Sequence, residues 1–222
     1  MARNNILSGS KRIGGNRQIF SHEGIALLVG GFNLPLESVP LVSTGNFIPA
    51  GTPIQVDEIA RTAKVFKSAQ ILTGVTTATE VDVVKMTHET DGRNPFVVGD
   101  IVMVLANNKA ADATGTGVTI TDIDTTDPDK DTITVSANIT GDKDAFLVLA
   151  SAVGASKAPA VLPNAIAPYD IVRHPDATYV STEACFSTLK GMIYRRRVPV
   201  IPEQVIKYMR ENDCFFRWSN SK

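Results

Sequence analysis

Short runs of β-branched and aliphatic residues, broken every few positions by turn formers, constrain this chain more than any other feature of its sequence. Between residues 76 and 150 the runs are Val81, Val83, Val84 and Met86; Ile101–Leu105; Val118, Ile120 and Ile123; Ile133 and Val135; and Phe146–Leu149. Several alternate with Thr or Asp, and a period of two sends one set of side chains to a buried face and the other to solvent. Pro95 and Pro128 are the only prolines of this segment, and both fall between runs. The spacing predicts five or six short strands, which make a small β-barrel or sandwich. A module of that size lies near the lower limit for a self-supporting core.

The flanking segments read differently. Ile25–Val29 predicts a strand that ends at Gly30-Gly31, and Pro35, Pro40, Pro49 and Pro53 follow at short intervals. Proline removes a backbone donor and fixes φ, so these positions favour edge strands and turns over helix. Phe47–Ile54 reads as strand, tight Ala50-Gly51 turn, strand, with the glycine free to take positive φ. Residues 151–168 are rich in Ala, Ser, Gly and Pro and read as a linker. Beyond them, Ile171–Arg173, Thr178–Phe186 and Met192–Val200 predict strands. One helix is expected: Pro202 suits the first helical position, Val205, Ile206 and Met209 share a face, and Asn212 is a stop. The expected fold is therefore mainly β. A discontinuous outer β domain, residues 21–75 and 151–222 with one short C-terminal helix, carries an inserted small β-barrel or sandwich at 76–150.

Residues 1–20 hold Arg3, Lys11, Arg12 and Arg17, no acid, and little apolar side chain with which to offset the entropy of ordering. They predict a flexible arm, or one that orders against an acidic neighbour. The formal net charge of −1 gives no whole-molecule reason to bind nucleic acid, and no direct nucleic-acid contact is expected. The apolar stretches 24–32 and 95–106 are too short to span a membrane, so no membrane contact is expected either. No secretory signal is expected, since no apolar core follows the basic N-terminus. Cys185 and Cys214 predict free, buried thiols.

Motifs of chemistry are sparse. His22, His88 and His174 lie far apart, and no G-x-S-x-G, H-E-x-x-H or P-loop occurs. Asp127, Asp129 and Asp131 alternate as calcium ligands do, but Thr132 takes the place of the loop glycine and Asn138 that of the terminal glutamate. A solvated hairpin loop is the preferred reading, with no metal, cofactor or catalytic residue expected. Arg195-Arg196-Arg197 falls inside a predicted strand, where alternation sends Arg195 and Arg197 to one face and Arg196 to the other. Interface salt bridges suit that placement better than one anion-binding patch. Phe215, Phe216 and Trp218 are the apolar interface candidates, with their rings covering the chain's own helix as the alternative.

Three of these segments, in this order, resemble phage head-decoration and head-fibre-type proteins. Phe47–Ile54 (F-I-P-A-G-T-P-I) resembles an I-P-A-G-T-P strand-turn-strand. Ala60–Val65, followed by Pro95-Phe96-Val97-Val98-Gly99-Asp100, is similar to the K-G-H-x-F-x-V-G-D module. Gly191–Pro199 with Ile201-Pro202 is similar to a G-x-x-x-R-R-x-x-P-x-I-P ending. The chain departs from the pattern at Thr87-His88-Glu89, which stands in place of Lys-Gly-His, and residues 1–44 have no counterpart. The resemblance implies a non-enzymatic virion protein made in a bacterial cytoplasm and seated on the capsid exterior. It implies the major capsid protein as partner and self-association, a trimer before a dimer. A carbohydrate- or cell-surface-binding β-module, or a neck or tail component, are the alternatives.

Overall fold

The structure, a computed structural model, describes residues 18–21, 25–42, 47–85, 95–189 and 191–219. It is mainly β, with a closed five-stranded barrel, a second curled sheet and one α-helix near the C-terminus.

The barrel is built from β1 (Ile25–Leu34), β2 (Pro53–Asp57) and β3 (Thr62–Val65) near the start of the chain. Its return strands are Ala165–Ile166 and Val180–Thr188, in the order β1, Val180–Thr188, Ala165–Ile166, β2, β3. A parallel bridge from Asn33 to Thr62 closes it. The run read as ending at Gly30-Gly31 continues to Leu34, because Gly31 at φ 69° absorbs a register shift between Leu28 and Phe32. Such a bulge bends the strand without ending it. Residues 32–65 and 165–184 fill the barrel with Phe32, Ile48, Ile54, Val65, Ile171 and Val180 among others.

The second sheet contains β4 (Ser68–Gln70), β5 (Val75–Val84), β6 (Ile101–Leu105), β7 (Gly115–Asp124), β8 (Lys130–Gly141) and β9 (Phe146–Leu149). They pair in the order β4-β9-β6-β7-β8-β5, and a bridge from Ile71 to Val83 curls the two ends together. Each predicted apolar run lies in one of these strands, save Met86, which lies outside the described residues; Phe96-Val97-Val98 leads into a turn at Gly99. The sheet also takes in residues beyond 76–150. Ser68–Gln70 pairs with β9, and β10 (Gly154–Lys157), inside the segment read as a linker, pairs with β7. Ala165–Ile166 and Val180–Thr188 are hereafter β11 and β12.

Alternation along β6 and β9 feeds two cores. Val102 and Leu147 face the inside of the curled sheet with Val81, Ile120 and Ile133. Met103, Leu105, Phe146 and Val148 face the other way, against Ile19, Phe66, Ile166, Cys185, Val205 and Cys214. Both faces of these two strands are thus buried, and the second face forms an apolar seam that joins the two lobes. Polar ties cross the same joint. Lys67, fully buried in the connection from β3 to β4, donates to Asp100 Oδ2 at 2.7 Å. Ser68 Oγ donates to Val200 O at 3.2 Å, and Gln204 Nε2 to Ala106 O at 3.1 Å.

The helix α1 (Glu203–Glu211) buries Val205, Ile206 and Met209, as its spacing predicts. Pro202 stands one residue earlier than expected: its ψ of 136° makes it the N-cap. Asn212 caps the C-terminus, and Cys214 N donates to Met209 O at 2.9 Å across Asp213, whose φ is 63°. That is the six-to-one bond of a Schellman ending, with aspartate in the left-handed position that glycine more often takes.

Met192–Val200 forms no strand of its own. Arg195–Arg197 is one turn of 3₁₀ helix, and all three arginines are exposed. Strand alternation therefore does not divide them. Pro199 and Pro202 lack donors for a ladder, and Val198 is instead drawn inward beneath the Ala50-Gly51 turn. Gly51 has φ 85°, and a Cβ on it would lie 2.2 Å from Val198 Cγ1. The turn of Phe47–Ile54 and the arginine turn, far apart in sequence, are in contact.

Candidate interface

The arginine turn sits among three extended segments. Tyr194 N donates to Ile19 O at 2.8 Å, and Ser21 N donates to Met192 O at 2.8 Å. From the other side, Ile193 N donates to Arg217 O at 2.7 Å and Ser219 N to Ile193 O at 2.8 Å. The ribbon after the helix then reaches β12, where Thr188 N donates to Phe215 O at 3.0 Å and Arg217 N to Thr188 Oγ1 at 2.9 Å. Both ends of the described chain and the end of β12 thus meet on one face.

Extended geometry sorts the three C-terminal rings. Phe216 and Trp218 point inward, pack on the seam and lie 6.2 Å apart at 59°. Phe215 points outward and is 58% exposed; Arg217, two residues on, is exposed beside it. The two alternatives left open by the sequence therefore apply to different residues: Phe216 and Trp218 cover the chain's own core, and Phe215 is the free ring. Leu189, 71% exposed and next to Thr188, joins Phe215 on this surface. Leu189 does not stand out in the sequence, because only the pairing of residue 188 with the ribbon brings it beside Phe215.

The three arginines have distinct surroundings. Arg195 forms an ion pair with Glu203, at the start of the helix, and its backbone N donates to Ser219 Oγ at 3.0 Å. Arg197 lies 4.8 Å over the Tyr194 ring, and its guanidinium donates to Gln18 O at 2.9 Å. Arg196 is exposed between them. Exposed rings and arginines together are what the energetic centres of protein interfaces are enriched in.

The other candidates disperse. His22 and His88 lie outside the described residues, and His174 is exposed in a turn. The acidic run does close a hairpin between β7 and β8, but Asp131 is not part of a solvated tip. It is fully buried, 3.4 Å from Lys85 Nζ, and Lys85 also donates to the carbonyls of Thr125 and Asp127. Alternation along β8 turns Asp131 inward while Asp129 stays exposed. Next to this pair, Lys130 bonds Asp82 at 2.7 Å, and that hydrogen bond holds the Asp82 carboxyl below its ordinary range. Lysines thus face these carboxylates, and among the described residues no three His, Cys, Asp or Glu side chains gather to hold a metal ion.

Two buried groups border the seam. Burial pushes the Lys67 ammonium below its ordinary pKa, against the pull of Asp100. Cys185 and Cys214 are free and buried, as expected from the sequence, and burial pushes their thiols up to about 12 and about 11. Raised thiols of this kind are poor nucleophiles. Comparison with family models, curated proteins and solved structures finds no match.

Proposed function

We propose that this chain is a non-enzymatic structural component of a phage particle, docked on the outer surface of the head through the face where the two ends of its described residues meet. The observation that carries the reading is the exposed group of Phe215, Leu189 and Arg217 on a hydrogen-bonded support, with the exposed arginine turn bonded to the same ribbon. Apolar and arginine-bearing surface of this kind stabilises an assembly by excluding water around a few anchors. The contact between Gly51 and Val198 adds to it, since it joins two of the segments that resemble head-decoration proteins. In this reading the partner is the major capsid protein, and the curled sheet, on the far side of the seam, projects away from the shell. Self-association, as a trimer on a threefold position, multiplies weak contacts through effective concentration.

Electron microscopy of purified particles, labelled through an affinity tag on this chain, tests the proposal. Label over the head exterior is expected. Label confined to the neck or tail moves the chain to another virion position, and absence from particles overturns the reading. A Phe215→Ala, Arg217→Ala variant should fold normally and occupy fewer sites.

A further inference from the structure

A cavity of about 60 Å³ opens between the arginine turn and the helix, lined by Arg195, Val198, Val200, Ile206 and Trp218 among others. Its lining is mostly apolar, and Val200 is 49% exposed. The chain that precedes the described fold joins it at this place. Arg197 holds Gln18 O, and Ile19 is fully buried against the seam. Residues 1–17 therefore attach beside the cavity.

Those 17 residues contain one adjacent aliphatic pair, Ile6-Leu7. Uncharged Asn4, Asn5, Ser8, Gly9 and Ser10 flank it, so burying the pair desolvates no charge of the adjoining arm residues. We propose that the cavity receives the Ile6-Leu7 pair of a second copy of this chain, so that neighbouring copies are joined by exchanged N-terminal arms. Reach favours the second copy. Leu7 lies eleven residues before Gln18, a span of about 36–40 Å when extended. A folded body of this length has a radius of gyration of about 17 Å, so an arm drawn out to that length would carry Leu7 about one molecular width. That reach is enough to meet the equivalent cavity of a neighbour. Entering its own cavity requires the ten residues between to double back, and Ile13 is the only other large apolar side chain among them to hold that loop.

The inference rests on the proposed assembly role, because it makes the arm a joint between copies. Cysteine pairing in the full-length chain tests it. Cys185 and Cys214 are buried with raised thiols, which leaves engineered cysteines as the reactive pair. Leu7→Cys protein mixed with Val200→Cys protein and oxidised should give a disulfide-linked dimer containing one of each. The doubly substituted chain should give linked multimers. Leu7→Ser should lower the sedimenting mass toward the monomer. A doubly substituted chain that closes on itself as a monomer, or mixed proteins that fail to link, overturns the inference. The particle labelling separates this failure from failure of the functional reading. Labelled heads without cross-links remove only the arm exchange, whereas cross-links without particle association remove only the virion role.

Discussion

The core of the first barrel and the seam between the lobes are both apolar, but they are assembled differently. Among the described residues, the buried barrel core comes from residues 32–65 and 165–184 and consists of aliphatic side chains with one buried aromatic, Phe32, and Phe186 packed at its edge. The seam draws on Ile19, Phe66, Met103, Phe146, Cys185, Val205 and Cys214, nearly the whole described length. It includes two thiols, and the buried Lys67–Asp100 pair lies next to Phe66. A barrel core built by strands that pair with one another excludes ionisable groups with little difficulty. A seam must join strands, helix and chain ends, and it accumulates polar crossings where those meet. The seam therefore governs whether the lobes fold together, and it is where proton activity acts.

Excising the curled sheet is the strongest way to break that comparison. Residues 68–157 made alone would expose Met103, Leu105, Phe146 and Val148, all now buried in the seam. Each such side chain contributes about 1.5–3 kcal/mol when buried. The loss approaches the whole stability of an ordinary domain, about 5–15 kcal/mol. The expected result is a β-rich but loosely packed fragment that binds a hydrophobic dye and melts without a sharp transition. A cooperative melt from a monomeric fragment would restore the independent module that the strand spacing of residues 76–150 suggests.

Next in size is the buried pair. Lys67→Met leaves Asp100 without its cation, and removing one partner of a buried pair costs about 3–5 kcal/mol. Adding Asp100→Asn removes the stranded charge and still accepts from Val97 N, which now donates to Asp100 Oδ2 at 3.0 Å. At least half of the loss should return in the double variant, read by chemical denaturation as a double-mutant cycle. In the first barrel, by contrast, Ile54→Val should cost only about 0.5–1.5 kcal/mol. Additive effects at Lys67 and Asp100 would show that the pair is not coupled.

The second lysine–aspartate pair sharpens the point at a distance from the seam. Asp131→Asn weakens the charged contact to Lys85 in a buried setting, for an expected loss of about 2–3 kcal/mol. Asp129→Asn, in the same acidic run but exposed, should stay within about 0.5 kcal/mol. Equal effects at the two positions would return the whole run to the status of a solvated loop.

These two aspartates also show how far the sequence could be read. Alternation located β6 to β9, and the 3.6-residue spacing of Val205, Ile206 and Met209 located the helix, because each pattern is local and repeats. Asp131 obeys the same alternation, pointing inward with Ile133 and Val135, but an acidic run of this kind points to solvent by its charge and hides that register. Two other features depended on distant chain. Gly154–Lys157 becomes a strand by pairing across Gly117, where a Cβ would lie 2.0 Å from Ala152 O, so only glycine admits the close approach. Arg195–Arg197 is turned into 3₁₀ helix by what it meets: the Gly51 turn, Glu203 and the first described residues. The interface candidates were legible as residue types. Which of them face solvent was not, because that depends on the pairing of residues 187–188 with 215–217.

The smallest expected effect is a slope with pH, and it isolates the seam from the barrel. Below about pH 8 both thiols are almost wholly protonated whether the chain is folded or not, so they contribute almost nothing to pH dependence. Above pH 9 the unfolded chain loses their protons, while the folded chain keeps them until about 12 at Cys185 and about 11 at Cys214. The folded state then binds more protons than the unfolded state, and stability falls as pH rises, by on the order of 1 kcal/mol per thiol between pH 9 and 10. Lys67 acts in the opposite sense. Its folded pKa lies below the ordinary 10.5, so between that lowered value and 10.5 the unfolded chain binds more protons and stability rises with pH. Surface groups titrate alike in all variants and cancel in the comparison. Denaturation from pH 8 to 10 should therefore show a steeper decline in the natural chain than in Cys185→Ala, Cys214→Ala. Combining that variant with Lys67→Met should remove the opposing rise as well, leaving the pH response of the exposed surface alone. Identical slopes in the three proteins would mean that seam and barrel are equally indifferent to protons, and that the seam's buried groups act through packing only.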